Sequence, residues 1–136
     1  MATIESPLIG AWRLVSYQTN TDTDPDGGPY GAHPLGTLLY TADGYMGAQL
    51  FQVDSVGASA GAGTASRVQS FSAVFTMTAT GFSFVIKCAN NPTMIGSTQV
   101  RTFTIAGRPE ILCIEWTDQG VHNRVRWQRV SDGTAR

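Results

Sequence analysis

Length, composition and charge limit the class of protein to which the chain can belong. It has 136 residues, 42% of them hydrophobic and 14% charged, with 15 glycines and a formal net charge of −1. We predict one domain over residues 1–136, because this length is typical of a single core. The charged fraction is well below the roughly 25% of an average soluble domain. A chain so close to neutrality lacks the basic field that holds nucleic acid or an anionic membrane surface, so we expect neither partner.

The amino-terminal end and the cysteines bear on the compartment. The opening MATIESPLIGAW has no basic stretch ahead of a long apolar run, so no signal peptide is predicted. No window reaches the roughly 18 apolar residues of a membrane-spanning helix. Cys88 and Cys113 lie in apolar strand patterns without metal-ligand spacing, and we interpret them as buried free thiols. Unpaired cysteines are typical of reducing compartments, so the expected location is the cytoplasm.

Strand signals recur along the chain, and no window shows a sustained helical period. Most of the predicted strands are joined by short turns. The exceptions are a loop rich in Asp, Gly and Pro after the first strand and a small-residue loop after the third. The predicted strands are Ala11–Gln18, Gly36–Thr41, Tyr45–Gln52, Gln69–Thr78, Gly81–Ala89, Thr98–Ile105, Glu110–Trp116 and His122–Val130. Eight antiparallel strands can lose their edges by closing into an up-and-down barrel whose interior holds one small ligand.

The hairpin between the second and third strands predicts which side chains point inward. The sequence TADGY suits a type I turn with Gly44 in the left-handed conformation, which pairs Tyr40 with Met46. The more apolar face of each strand should then line the interior. Arg101 shares its face with Phe103, which places a cation near that interior. The inward residues predicted by alternation are Leu38, Tyr40, Met46, Ala48, Leu50, Phe71, Ala73, Phe75, Met77, Phe82, Phe84, Ile86 and Cys88.

Four segments together resemble a known family. LIGAWRLVSY, PLGTLLYTADGYMGAQL, GSTQVRTFTI and RVRWQRV occur in the order seen in the small lipocalin-like domain proteins of bacteria and fungi. Gly10 and Trp12 resemble the lipocalin signature on the first strand. The resemblance extends from about Leu8 to Val130 and implies a calycin-type eight-stranded antiparallel barrel with an internal cavity.

The resemblance also implies how the barrel ends and what it does. The signature Trp12 would close the barrel floor, with an Arg of the last strand across it, and Arg129 is the best counterpart, Arg126 the second. A guanidinium over an indole gives a cation–π contact. Gly10 would give the backbone room to pass under that floor. Some lipocalin-like barrels of natural-product pathways act as cyclases or isomerases without cofactors.

Several familiar chemistries lack their residue patterns. His33 and His122 are the only histidines and stand outside any ligand cluster, and the acidic run DTDPDG lacks the closing Glu of a calcium loop. No Gly-x-Ser-x-Gly, P-loop or dinucleotide motif occurs. The Arg-rich last strand around Trp127 has no matching basic groove elsewhere in the sequence. We therefore expect no metal, no cofactor and no nucleic acid.

Four residues are candidates for catalytic chemistry. Arg101 would face the lumen beside Phe103, or else pair with a surface acid at a barrel end. Tyr40, if inward, could donate a hydrogen bond to a ligand carbonyl. His122, at the start of the last strand, could move a proton at the barrel rim or could simply be solvated. The candidates are Arg101, Tyr40, Glu115 and His122.

The direction of Glu115 stays open, because both faces of its strand are equally apolar. If it faces inward, it could pair with Arg101 or act as a base with a raised pKa. A variant in which Arg124 and Arg126 face inward and clamp a ligand carboxylate also stays open.

Three functions are compatible with the sequence. The first is a cofactor-independent cyclase or isomerase acting on an apolar polyketide- or terpenoid-like intermediate. The second is a carrier of a small hydrophobic ligand, and the third is an interaction module whose barrel is filled by its own side chains. A homodimer stays open. The predicted binding residues are Leu38, Met46, Leu50, Phe71, Phe75, Phe84 and Phe103.

Overall fold

The computed structural model describes residues 6–20, 28–31, 33–53 and 65–133. Its strands are β1 (Gly10–Thr19), β2 (Leu35–Tyr40), β3 (Tyr45–Val53), β4 (Ala65–Met77), β5 (Gly81–Ala89), β6 (Thr98–Ala106), β7 (Ile111–Asp118) and β8 (Val121–Ser131). The single helical element in the described part of the chain is a 3₁₀ turn, Pro92–Met94. Among the described residues, no helix has the length and apolar character needed to cross a membrane.

Antiparallel pairing between consecutive strands closes the sheet into a barrel. Each strand pairs with the next, and β8 returns to pair with β1, where Trp12 lies opposite Arg129. Closure gives every strand a partner on both sides, which removes the unpaired edges of an open sheet. The predicted all-β, eight-stranded, up-and-down barrel is confirmed.

The β2–β3 hairpin has the predicted register and turn. Tyr40 pairs with Met46, and the Thr41 amide donates to the Tyr45 carbonyl at 2.8 Å. Gly44 has φ of +97°, a conformation that favours a residue without a Cβ atom. Because this register is fixed, Leu38, Tyr40 and Met46 all point into the barrel, where they are buried.

A bulge in β5 overturns the prediction for Cys88. Ser72 pairs with Cys88 and Ala73 with Ile86, so Lys87 is an extra residue in the ladder. An extra residue shifts the alternation of side chains between the two faces. Cys88 is therefore exposed on the outer face, and the prediction that it is a buried thiol is wrong.

A second bulge lies in β1, opposite β8. Leu14 pairs with Trp127 and Ser16 with Arg126, which leaves Val15 without a partner in the ladder. Trp12 and Leu14 point inward before the bulge, and Tyr17 points toward the barrel mouth after it. Simple alternation from Trp12 would have placed Tyr17 on the outside.

The faces of β7 and β8 are also settled. Leu112 and Ile114 are buried, so Cys113 and Glu115 alternate with them onto the outer face, where Cys113 is only half-buried. Of the two directions left open for Glu115, the inward one is therefore wrong.

On β8 the residues that point inward are Asn123, Val125 and Trp127. Arg124 and Arg126 alternate with them and face outward: Arg124 is exposed and bonded to Glu115, and Arg126 donates to Gln18 at 3.5 Å. The variant with both arginines clamping a ligand inside the barrel is wrong.

The barrel floor is formed by Leu8, Trp12, Glu110 and Arg129. The Arg129 guanidinium carbon lies 4.1 Å from the centroid of the Trp12 ring, and its Nε donates to Glu110 at 2.8 Å. The Trp12 indole N–H donates to the Leu8 carbonyl at 2.9 Å. Arg129, not Arg126, is the partner of Trp12, as its position predicted.

Gly10 is required beside this floor. A Cβ atom built on Gly10 would lie 2.1 Å from the Ser131 carbonyl oxygen, and its φ is +126°. Both facts exclude a larger residue without movement of the β8 backbone. The start of β1 therefore packs closely against the end of β8.

Candidate ligand-binding site

The lumen, the interior cavity above the floor, is small and mostly apolar. It has a volume of about 70 Å³. That is room for a few atoms and well below the roughly 300–1,000 Å³ of a drug-sized pocket. The lining residues are Tyr17, Leu38, Tyr40, Met46, Ala48, Leu50, Gln69, Phe71, Phe82, Phe84, Arg101, Ile114, Trp116, Val125 and Trp127.

The lumen continues into a wider pocket at the end of the barrel opposite the floor. This mouth pocket has a volume of about 460 Å³ and shares Tyr17, Phe71, Phe84, Arg101 and Trp116, among others, with the lumen. It also includes polar residues of the rim, such as Gln99 and Asp118. A ligand larger than the lumen could therefore occupy both spaces at once.

Arg101 lies where the lumen meets the mouth pocket. Its guanidinium carbon is 3.9 Å from the Trp116 ring centroid and 5.4 Å from that of Phe84. Its described hydrogen bonds go to the Val100 carbonyl at 3.0 Å and the Gln99 amide oxygen at 3.5 Å. No ion pair within 4 Å joins it to a carboxylate of the described residues.

The electrostatics of Arg101 follow from this position. Burial lowers its pKa to about 10, and nearby Tyr17 and Asp118 act in the opposite direction. The guanidinium is still charged at neutral pH. It presents a partly desolvated cation, placed over the rings of Trp116 and Phe84, to a molecule that enters the lumen. Arg101 lines both the lumen and the mouth pocket, and its chemical role remains a prediction.

Tyr40 and Trp127 line the lumen with polar groups that have no hydrogen-bond partner in the described part of the chain. Tyr40 is enclosed by Phe75 and Phe82, at ring-centroid distances of 5.1 and 5.7 Å. Neither its hydroxyl nor the Trp127 indole N–H has a hydrogen-bond partner among the described residues. Burial raises the pKa of the Tyr40 hydroxyl, which therefore stays protonated.

Tyr17 and Tyr30 form a satisfied network near the mouth. The Tyr17 hydroxyl donates to Asn123 at 3.0 Å, and the Tyr30 hydroxyl donates to Gln69 at 2.9 Å. Their ring centroids are 5.3 Å apart. Burial, with a smaller contribution from Tyr30, raises the pKa of Tyr17 to about 12. These two rings narrow the entrance without leaving unpaired hydroxyls.

Glu115 and His122 lie on the outer surface, away from this site. Glu115 accepts from Arg124 Nε at 2.9 Å and contacts His122 Nε2 at 3.2 Å. The hydrogen bond from Arg124 and then that from His122 lower the pKa of Glu115, the opposite of the raised pKa that a buried base would have. The structure does not bring these two residues together with Arg101 and Tyr40.

Most of the predicted binding residues lie where they were expected. Leu38, Met46, Leu50, Phe71 and Phe84 line the lumen. Phe75 is buried but packs behind Tyr40, and Phe103 packs against Phe82 with their ring centroids 6.0 Å apart, so neither lines the lumen.

Sequence reasoning missed several lumen residues. Phe82 was placed inside but was not named as a binding residue. Trp116 and Ile114 lie on one face of β7, and the sequence did not show which face of that strand points inward. The inward direction of Tyr17 results from the β1 bulge. Trp127 carried a usable signal, because it alternates with two arginines on the last strand.

The site offers a ligand hydrogen-bond donors and one cation, Arg101, within a mostly apolar space. No carboxylate or imidazole of the described residues lines the lumen, and Asp118 belongs only to the mouth pocket. Within the described part of the chain, no three His, Cys, Asp or Glu side chains are grouped as metal ligands. The acidic DTDPDG run lies outside the described residues.

A closed sheet of eight antiparallel strands around an interior pocket defines the chain as an up-and-down β-barrel of the kind found in lipocalins. A family model described as lipocalin-like domain matches residues 9–130, and the chain therefore belongs to the lipocalin-like domain family. This confirms the resemblance found in the sequence, and membership indicates binding of a small hydrophobic molecule. The comparisons with curated proteins and with solved structures give no significant match.

Proposed function

We propose that this barrel binds a small, largely apolar biosynthetic intermediate and catalyses its cyclisation or isomerisation without a cofactor. The observation that carries the proposal is Arg101, a partly desolvated cation at the junction of lumen and mouth, stacked on Trp116 and without a carboxylate partner among the described residues. Clefts of this composition, apolar with a few convergent polar groups, are the usual sites of small-molecule chemistry.

In this mechanism Arg101 and Tyr40 act on an oxygen of the ligand. An enol or hydroxyl group of the ligand adds to a carbonyl carbon of the same molecule, so a C–C or C–O bond forms, the C=O π bond opens, and the enol or hydroxyl proton ends on the former carbonyl oxygen. A charged guanidinium and a protonated phenol stabilise the negative charge that develops on that oxygen as the ring closes. The aromatic walls hold a flexible polyketide- or terpenoid-like chain in a folded shape, which lowers the entropic part of the barrier. The polar rim at the mouth would receive the more hydrophilic end of the intermediate.

A carrier without turnover is the second candidate, and the composition of the lumen favours it. Proton transfer usually needs a carboxylate or an imidazole near the reacting atom, and neither lines the lumen among the described residues. This observation also makes ring closure a better candidate than an isomerisation that requires a strong base.

Incubation with candidate intermediates separates the two functions. We expect new cyclic or isomeric product, followed by mass spectrometry and chiral chromatography, and a roughly 100-fold or greater loss of turnover in Arg101→Ala. Arg108→Ala, which changes an exposed arginine in the β6–β7 turn, is the matched control and should keep full turnover. Ligand that binds and is recovered unchanged would establish the carrier, and absence of binding would refute both functions.

We also propose that the protein works in a reducing compartment such as the cytoplasm. Cys88 is exposed and Cys113 half-buried, and both are free thiols. Exposed unpaired thiols are oxidised in secretory compartments and persist in the cytosol. Thiol titration of protein isolated from its native cell should find both cysteines reduced; an oxidised Cys88 would contradict the proposal.

A further inference from the structure

We propose that the inner part of the lumen binds a carbonyl oxygen, which accepts hydrogen bonds from both the Tyr40 hydroxyl and the Trp127 indole N–H. The inference rests on the proposed binding of a small apolar molecule and adds the functional group by which that molecule is recognised. It assigns to Trp127 a positioning role that neither the sequence nor the family indicated.

The first step is that Tyr40 and Trp127 differ from three other aromatic side chains of the described residues, whose polar groups are paired. Trp12 donates to the Leu8 carbonyl at 2.9 Å, Tyr17 to Asn123 at 3.0 Å, and Tyr30 to Gln69 at 2.9 Å. Tyr40 and Trp127 are each 3% exposed and have no partner among the described residues. Buried donors without partners are rare in native proteins, and each one needs an explanation.

The second step is that both groups line the same small space. Tyr40 ends β2, and Trp127 lies on β8 opposite Leu14, in the half of the barrel nearer the floor. Both line the lumen of about 70 Å³. Within the described ranges, one further buried side-chain oxygen has no partner, Ser16 Oγ, which lies beside the β1 bulge and does not line the lumen.

The third step concerns the chemistry of the missing partner. An indole N–H can only donate, so the group that meets Trp127 must be an acceptor. The Tyr40 hydroxyl is kept protonated by its burial, so it too can donate. A carbonyl oxygen has two lone pairs and accepts from both at once. The surroundings, which include Met46, Phe82 and Val125, are apolar and favour a neutral acceptor over a carboxylate.

Three matched probes test this proposal: cyclohexanone, cyclohexanol and methylenecyclohexane, which share a ring and differ in the group attached to it. Each is titrated into ¹⁵N-labelled protein while the indole N–H resonances are recorded, with Trp127→Phe used for assignment. We expect cyclohexanone to bind about tenfold more tightly than methylenecyclohexane. It should also shift the Trp127 resonance and leave that of Trp12, already bonded to Leu8, in place.

Tyr40→Phe and Tyr45→Phe form the matched pair of variants, because Tyr45 is exposed and lines neither the lumen nor the mouth pocket. Both remove one hydroxyl and keep the ring, so the folded barrel should survive in each. Tyr40→Phe should weaken the binding of cyclohexanone about threefold to tenfold and leave the binding of methylenecyclohexane unchanged, whereas Tyr45→Phe should preserve the preference for the ketone.

The outcomes separate this inference from the proposed function on which it rests. Equal binding of cyclohexanone and methylenecyclohexane, tighter binding of cyclohexanol, or binding of the ketone without a shift at Trp127 would overturn the carbonyl site while leaving an apolar binding barrel. If none of the three probes binds, both the inference and the proposed function fail.

Discussion

The floor and the lumen are built from the same kinds of side chain, yet they differ in how far the polar groups of these side chains are hydrogen-bonded. On the floor, Arg129 stacks on Trp12, pairs with Glu110 and donates to the carbonyls of Ile9 and Pro7 at 2.8 and 2.6 Å. In the lumen, Arg101 also stacks on a tryptophan, but its hydrogen bonds go to its own strand neighbours. Among the described residues, the polar groups of Trp12 and Arg129 on the floor are paired, whereas those of Tyr40 and Trp127 in the lumen are not.

This difference indicates which end evolved for stability and which for function. Natural sequences satisfy buried polar groups wherever only folding is at stake, and they depart from this rule mainly at functional sites. The Tyr40 hydroxyl and the Trp127 indole N–H, which have no partner among the described residues, line one lumen, whereas the polar groups of the Trp12–Arg129 cation–π pair on the floor are hydrogen-bonded. The contrast predicts how substitutions at the two ends will differ.

The largest effect should come from Trp12→Ala. Trp12 is fully buried, and its removal leaves a cavity under the guanidinium of Arg129. We expect the free energy of unfolding to fall by about 3–5 kcal/mol, measured by urea denaturation. Trp116→Ala, at the half-exposed mouth, should cost clearly less. Equal losses at the two sites would mean that the floor is not the more stabilising end.

Arg129→Met should cause the second-largest loss in the free energy of unfolding. It keeps the volume of the side chain but breaks the pair with Glu110 and leaves the carbonyls of Ile9 and Pro7 without their donor. We expect a loss of about 2–4 kcal/mol in the free energy of unfolding. Arg126→Met, on the outer face with one hydrogen bond at 3.5 Å, is the control and should change it by about 0.5 kcal/mol or less.

The sharpest test of the comparison uses two tyrosine variants that should change the free energy of unfolding in opposite directions. Tyr40→Phe removes a buried hydroxyl without a described partner, so it should raise the free energy of unfolding of the ligand-free protein by about 1 kcal/mol. Tyr17→Phe removes a hydroxyl that is bonded to Asn123 and should lower it by about 1 kcal/mol. Losses of similar size in both variants would show that the Tyr40 hydroxyl is already satisfied.

The overall fold could be predicted because the patterns that specify it are local. Alternation over five to ten residues gives a strand, TADGY gives a hairpin with one register, and the order of strands brings Arg129 beside Trp12. The inward placement of Leu38, Tyr40 and Met46 follows from that single hairpin, and each of them is buried as expected.

The details of the site could not be predicted, because one extra residue reverses the face of everything that follows it. Bulges at Val15 and Lys87 carry no compositional mark, yet they bring Tyr17 toward the lumen and expose Cys88. On β7 both faces are apolar in sequence. Only closure of the barrel, with Leu112 and Ile114 buried inside, decides that Glu115 faces outward.

The smallest effect should be found at Glu115, on the outer face, and it depends on pH. Its pairing with Arg124 and His122 holds the pKa of the folded carboxyl below its ordinary value of 4.5. A depressed pKa in the folded state means that the stabilisation is present above the ordinary value and is lost as the pH falls through the folded pKa. Because the pair is solvent-exposed, Glu115→Gln should cost less than about 1 kcal/mol at pH 7. The difference from the unmodified chain should shrink as the pH falls below about 4.5 and in molar salt, both measured by urea denaturation. A larger loss that persists in acid and in salt would show that Glu115 contributes to the packing of the interior. The inward and outward faces of β7, on which the comparison of floor and lumen relies, would then have to be reassigned.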